Sequence, residues 1–242
     1  MVRIALFLPL VFATQAAFAQ ASVPIGLDAE RNLAELGNST NATMVRTYDN
    51  RYEGVKGTPF FSAEWNKATL TKNNTIYRNL DVKYNVYENK INYRTPEGKE
   101  FILEPHKIDD FVLTDDKTGH ELQFKKLPVL ASEDDKLVNR FVAVVYDGAQ
   151  VQLVMVPEKD FIKANYTGAY STGNKYDELA DVQTYYLIGP GKKAEKVKLN
   201  RKNLLRALPD KQNKVQEYAL SSKLDLDTAD GWAKALAYYE SL

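Results

Sequence analysis

Between Tyr77 and Leu103 the chain runs through three short stretches in which apolar and polar residues alternate, and all three agree on which side is buried. A two-residue loop at Glu88-Asn89 pairs Val86 with Ile91, Tyr84 with Tyr93 and Lys83 with Arg94. A five-residue loop from Thr95 to Lys99 then pairs Tyr93 with Phe101, Ile91 with Leu103 and Arg94 with Glu100. The alternation places Tyr84 inside and Asn85 outside. A slip of one residue would scatter the large side chains over both faces, so this stretch is constrained to an antiparallel sheet with a single apolar side.

The same grammar continues along the chain. Asn73-Asn74, Pro96-Glu97-Gly98 and Lys117-Thr118-Gly119 punctuate apolar runs as hairpin turns do. Asp147-Gly148 predicts the tip of a further hairpin, with Val144 opposite Val151 and Val142 opposite Leu153. A strand over 182–188 is turned by Gly189-Pro190-Gly191 towards residues 196–199. The chain then becomes helical, over 202–208, over 215–220 and in a last segment whose Trp232, Leu236 and Tyr239 fall at i, i+4 and i+7. Asp227, Thr228 and Asp230 supply the start signal of that last helix. The expected class is α+β, mainly β: an antiparallel meander or hairpin sheet, curled or folded as a sandwich, with C-terminal helices packed on it. Residues 46–199 form the β-rich body, and residues 200–242 a helical segment of the same domain.

The N-terminus reads differently. Arg3, the apolar stretch from Ile4 to Ala13 and the small residues Ala17 and Ala19 have the three parts of a secretory signal over residues 1–19. Residues 20–45 are a polar, partly flexible lead-in. No later stretch is apolar enough to span a bilayer. The chain contains 0 cysteines, which removes disulfides, thiolate metal sites, a cysteine nucleophile and lipoprotein processing. The expected location is therefore the periplasm or the outer cell surface. With 32 basic and 32 acidic residues the chain carries no net charge, which argues against a nucleic-acid partner.

Catalytic signatures are sparse. His106 and His120 have no zinc spacing. The run from Asp225 to Gly231 fails as a calcium loop, because Ala229 and Asp230 fall where a ligand and a glycine are needed, and it reads as a helix cap instead. Gly189-Pro190-Gly191-Lys192 lacks the phosphate-loop spacing, and the Ser171 region lacks that of a nucleophile elbow. Asp109-Asp110, Asp115-Asp116 and Asp134-Asp135 read as solvated turn residues. No catalytic, metal or cofactor-binding residue is assigned, and no cofactor is expected. Exposed tyrosines join an apolar face to a polar tip, which makes Tyr87, Tyr166 and Tyr170 binding candidates. Lys83 beside Arg94 forms a candidate anion site, with Asp81 and Glu100 placed to neutralise it.

Gly54-Val55-Lys56-Gly57-Thr58-Pro59-Phe60-Phe61, Trp65, Lys83-Tyr84-Asn85-Val86-Tyr87 and Leu103-Glu104-Pro105 together resemble uncharacterised exported proteins of Bacteroidetes-type bacteria. So do Tyr185-Tyr186-Leu187, Asn203-Leu204-Leu205 and the terminal Ala237-Tyr238-Tyr239-Glu240-Ser241-Leu242. The resemblance implies an envelope location and a β-rich fold, and brings no activity with it. Asp227-Thr228-Ala229 also resembles the short O-glycosylation acceptor motif of that group. The functional expectation is a non-catalytic binder of an envelope protein or glycan. The alternatives are a cofactor-independent glycan hydrolase built on an Asp/Glu pair and a structural accessory of an envelope complex.

Overall fold

A computed structural model describes residues 52–242, apart from 116–117, 167–172 and 192. The expected signal and lead-in lie outside the described residues. The strands are β1 (Lys56–Gly57), β2 (Asn66–Lys72), β3 (Thr75–Asn85), β4 (Lys90–Arg94), β5 (Glu100–Leu103), β6 (Asp110–Thr114), β7 (Glu121–Lys126), β8 (Phe141–Asp147), β9 (Gln152–Ile162), β10 (Glu178–Ile188) and β11 (Ala194–Val197). Three helices follow: α1 (Arg201–Ala207), α2 (Gln212–Ser221) and α3 (Ala229–Ser241).

All strands join one open 11-stranded sheet, ordered β5-β4-β3-β2-β6-β7-β8-β9-β10-β1, with β11 also on β10. Every pairing is antiparallel except the short parallel contact of β1 with β10. The protein is therefore mainly β with C-terminal helices, as the patterning implies.

The sheet curls. Tyr84 on β3, Phe111 on β6, Phe124 on β7 and Phe141 on β8 are at most 1% exposed. Their rings meet edge to face, apart from Phe111 and Phe124, which stack at 4.7 Å. Bringing β3 onto β8 across three intervening strands bends the sheet around these rings. Polar bonds then close the seam: the Tyr84 hydroxyl donates to the Phe141 carbonyl at 3.3 Å, Asn89 Nδ2 to Asn139 O at 3.1 Å and Arg140 Nη2 to Val86 O at 2.6 Å.

The β4–β5 register is the expected one, Ile91 with Leu103, Tyr93 with Phe101 and Arg94 with Glu100. The β3–β4 register is corrected by two residues: Tyr84 pairs with Ile91, Val82 with Tyr93, Lys83 with Asn92 and Asp81 with Arg94. Residues 86–89 form the turn because the Val86 and Tyr87 amides are diverted to Pro59 O, while Asn89 adopts a positive φ of 55°. An even shift preserves the faces, so Tyr84 and Tyr93 are still buried. Asn85 is buried as well, against expectation. Its backbone bridges Phe60 and its Oδ1 accepts the Glu88 amide at 2.9 Å.

The β8–β9 hairpin is corrected too. Residues 148–151 make its turn, Tyr146 pairs with Leu153, and after a bulge Val144 pairs with Val154 rather than Val151. The physical reason is tertiary. Glu240 near the end of α3 accepts the Ala149, Gln150 and Val151 amides at 2.8–2.9 Å, spreading the turn around a carboxylate. Gly148 leaves room for this approach, since a Cβ there would force the Glu240 carboxylate to shift. Unlike the curl, β8 and β9 are covered on both faces, which is why Phe141, Val142 and Ala143 are all buried in succession.

On one face Val151, Leu153 and Leu187 pack with the helices, whose Trp232, Leu236 and Tyr239 are buried as their spacing implies. On the other, Leu130 and Leu137 cover Val142, Val154 and Tyr186.

Desolvation works against the Glu240 charge, but the three amides and the Tyr146 hydroxyl outweigh it and hold its pKa below the ordinary glutamate value. A depressed folded pKa gives stability that is complete above the unfolded value of ~4.3 and lost as pH falls through the folded one. Glu240→Ala is expected to lower unfolding stability at pH 7 by about 1–2 kcal/mol, a range reduced for partial exposure, in denaturant melts. Below pH ~4.3 the wild type should lose its advantage over Glu240→Gln.

Candidate functional site

β3 and β4 turn Tyr84, Val82, Ile91 and Tyr93 inward, which leaves Asp81, Lys83, Asn92 and Arg94 on the outer face. Trp65 stands one residue before β2, whose first pair with β3 is Asn66 with Val82, so it falls beside Lys83. Its indole lies 4.6 Å from the Arg94 guanidinium carbon and 5.2 Å from Lys83 Nζ, measured to the ring centroid. Lys83 Nζ is also 5.2 Å from the Phe60 ring. One aromatic platform thus holds two cations.

The cations differ in their partners. Arg94 reaches Asp81 at 3.5 Å, and Asp81 also accepts Lys67 at 2.7 Å. Lys83 makes no hydrogen bond or ion pair among the described residues, although it is half-buried. Desolvation holds its pKa below the ordinary lysine value; Glu64 and Glu100 act in the other direction and Arg94 adds to the lowering. By contrast, the half-buried Lys67, Lys72, Lys125, Lys126 and Lys211 each place the ammonium on an oxygen. A desolvated ammonium that touches ring faces, with Glu64 and Glu100 acting on its charge but neither bonded to it, is one that a ligand oxygen would stabilise further.

Of the sequence-predicted candidates, the structure brings Lys83 and Arg94 together, diagonal across the strands instead of directly opposite. Tyr87 is exposed in the 86–89 turn, edge-on to Tyr52 at 6.0 Å. Tyr166 is exposed in the β9–β10 connection with Lys175 over its ring at 5.6 Å. Tyr170 lies outside the described residues. Trp65 and Phe60 are the residues that sequence reasoning did not place in the site. Trp65, one of 2 tryptophans, was visible as an isolated large aromatic in the polar run Ser62-Ala63-Glu64-Trp65-Asn66-Lys67.

His106 and His120 are exposed, the first in the short 3₁₀ turn Pro105–Lys107 and the second in the turn immediately before β7. Among the described residues no group of three or more metal-ligating side chains converges. Asp109 and Asp134 cap turns, accepting the Asn73 and Lys136 amides.

A cleft of about 740 Å³ opens between β10–β11 and the start of α3, walled by Gln183, Thr184, Tyr185, Lys196, Asp227 and Thr228. The Thr228 hydroxyl accepts the Gly231 amide at 3.1 Å and donates to Asp225 O at 2.7 Å. It is the helix cap, so glycosylation at Thr228 would remove the hydroxyl proton from that bond.

No protein-family model, no curated protein and no solved structure matches this chain.

Thr228→Ala is expected to lower stability by about 0.5–2 kcal/mol through loss of the cap, whereas Thr228→Ser should stay close to wild type, as read from thermal melts.

Proposed function

We propose that the protein is a non-catalytic binding protein of the cell envelope that takes an anionic ligand on the outer face of β2–β4. The observation that carries this reading is Lys83: a half-buried ammonium with two aromatic rings beside it, a guanidinium on the same indole and no hydrogen-bonded or ion-paired oxygen among the described residues. Holding such a charge costs desolvation energy that the fold itself does not need, since the core lies on the opposite side of these strands. Trp65 contacts both cations, which limits the side-chain entropy lost on binding. The apolar N-terminal stretch and the absence of cysteine fit export to the periplasm or surface.

The glycan-hydrolase alternative draws no comparable support. At the start of α3 the larger cleft carries Asp227 alone, and the smaller hollow beside it carries Asp225 and Asp227, of which Asp225 is engaged as a turn acceptor for the Asp227 amide at 3.0 Å.

Two measurements test the proposal. Mature protein recovered from cells should begin at Gln20 by intact mass. Immobilised wild type should retain an envelope component that a Lys83→Met, Arg94→Gln double variant with an unchanged melting temperature retains at least tenfold less. Equal retention by the two would refute the assignment of the site. His106→Ala and His120→Ala should retain it as the wild type does.

A further inference from the structure

We infer that the edge of β10 between β1 and β11 binds an extended peptide of a partner protein by strand addition, with a carboxylate of that peptide at Lys196 and Lys198. The inference goes beyond the binding role proposed above and uses a different part of the sheet.

β10 pairs with β9 along its whole length, from Glu178 to Ile188, but its other edge is only partly occupied. β1 takes Glu178 and Leu179 at one end, and β11 takes residues 185–188 at the other. Backbone groups alternate sides along a strand, and two bonds fix which residues turn outward: Asp177 O accepts the Lys56 amide at 2.8 Å, and the Gly189 amide donates to Lys193 O at 3.1 Å. Odd-numbered residues therefore face the outer edge. Pro157 agrees, because it stands opposite Gln183, where the ladder between β9 and β10 asks for no donor. The amides and carbonyls of Asp181 and Gln183, both exposed residues, are thus left without a backbone partner among the described residues. Two donors and two acceptors in alternation, over a gap of about five residues or ~17 Å, match the backbone of another extended chain.

The chain's own neighbouring segments lead away from this gap. β1 runs parallel to β10, so the residues just before Lys56 lie beyond Glu178, where Tyr52 meets Tyr87 and Glu88. After Gly57, Pro59 O is taken by the Val86 and Tyr87 amides. Beyond Val197 the chain turns into Asn200, the cap of α1.

The cleft of about 740 Å³ lies on the gap, with Gln183, Thr184 and Tyr185 on its β10 side, Lys196 and Lys198 from β11 and its continuation, and Asp227 from the start of α3. Alternate side chains of an added strand point into it and carry the specificity. The ammoniums of Lys196 and Lys198 make no hydrogen bond or ion pair among the described residues, and they outnumber Asp227 in the wall. Asp181 is already held by Lys159. One carboxylate on the peptide answers the remaining positive charge.

The full exported chain is screened against a randomised hexapeptide library made with free and with amidated C-termini, and selected peptides are titrated by fluorescence anisotropy. Peptides carrying a carboxylate should be enriched, in both sets if it belongs to a side chain and in the free set alone if it is terminal. Gln183→Pro removes an outward amide that β9 does not use and should weaken binding at least tenfold, while Gln183→Ala, which keeps the amide, should lose less. The Lys196→Ala, Lys198→Ala double variant should also bind at least tenfold more weakly. Should Gln183→Pro fail to fold, N-methylation of alternate peptide amides gives the same answer: one set of positions abolishes binding and the other spares it. In the complex, amide exchange at Asp181 and Gln183 should slow at least tenfold, with Val182, already bonded to β9, unchanged.

A library that yields no binder overturns the inference, as does binding that leaves exchange at both amides unaltered. Affinity indifferent to both lysines overturns the carboxylate assignment. Protection of the two amides in the peptide-free protein also overturns it, in favour of the chain's own preceding residues if independent of protein concentration and of a second copy if it grows with concentration.

Discussion

The packing of Tyr84, Phe111, Phe124 and Phe141 into one cluster is the constraint on which the rest of the architecture depends. The four rings come from strands that are not all neighbours, so they meet only if the sheet bends. Burying rings of this size outweighs the cost of curling a sheet that already twists. The Tyr84 hydroxyl finds Asn89 Oδ1 at 2.9 Å as well as the Phe141 carbonyl, so its burial leaves no polar group stranded. Burial pushes its pKa up, which keeps the phenol neutral and able to donate. With the inner face committed to aromatics, the outer face of β3 and β4 is the one left for charge, and Lys83, Asn92 and Arg94 occupy it.

The helical segment is integrated at two points. Trp232 is buried and donates its indole N–H to Leu226 O at 2.8 Å, which fastens the start of α3 to the loop before it. At the other end Glu240 fills the β8–β9 turn. A hairpin tip in the middle of the chain therefore takes its shape from a side chain about ninety residues later. The helices are a working part of the sheet's geometry, and their apolar stripe is spent on intramolecular packing.

The candidate site was half legible. Lys83 and Arg94 share a face by strand parity alone, and parity survives a two-residue error in register, which is why both were found. Their environment was not legible. Trp65 precedes β2 outside any alternating run, and its position over both cations follows from how the segment at Pro59–Phe61 takes up the edge of β3 that β2 has left. Lysine without an oxygen partner is likewise a property of surroundings, and no spacing rule distinguishes Lys83 from Lys126, whose ammonium meets the carbonyls of Pro105 and Ile108.

Local chemistry in the chain by itself determined the β-rich class, the inward set Tyr84, Ile91, Tyr93 and Leu103, the β4–β5 register and the capped final helix with its buried stripe. Those features depend on interactions among residues close in sequence, where periodicity and turn preference act directly. Only the tertiary structure decided the length of the 86–89 and 148–151 turns, the burial of Asn85 and the meeting of Trp65 with Lys83 and Arg94. In each case the deciding partner is distant in the chain: Pro59 for one turn, Glu240 for the other, and a neighbouring strand for the cations. A backbone amide or an ammonium binds whichever acceptor or ring the folded chain brings to it, and that is set by the curl of the whole sheet.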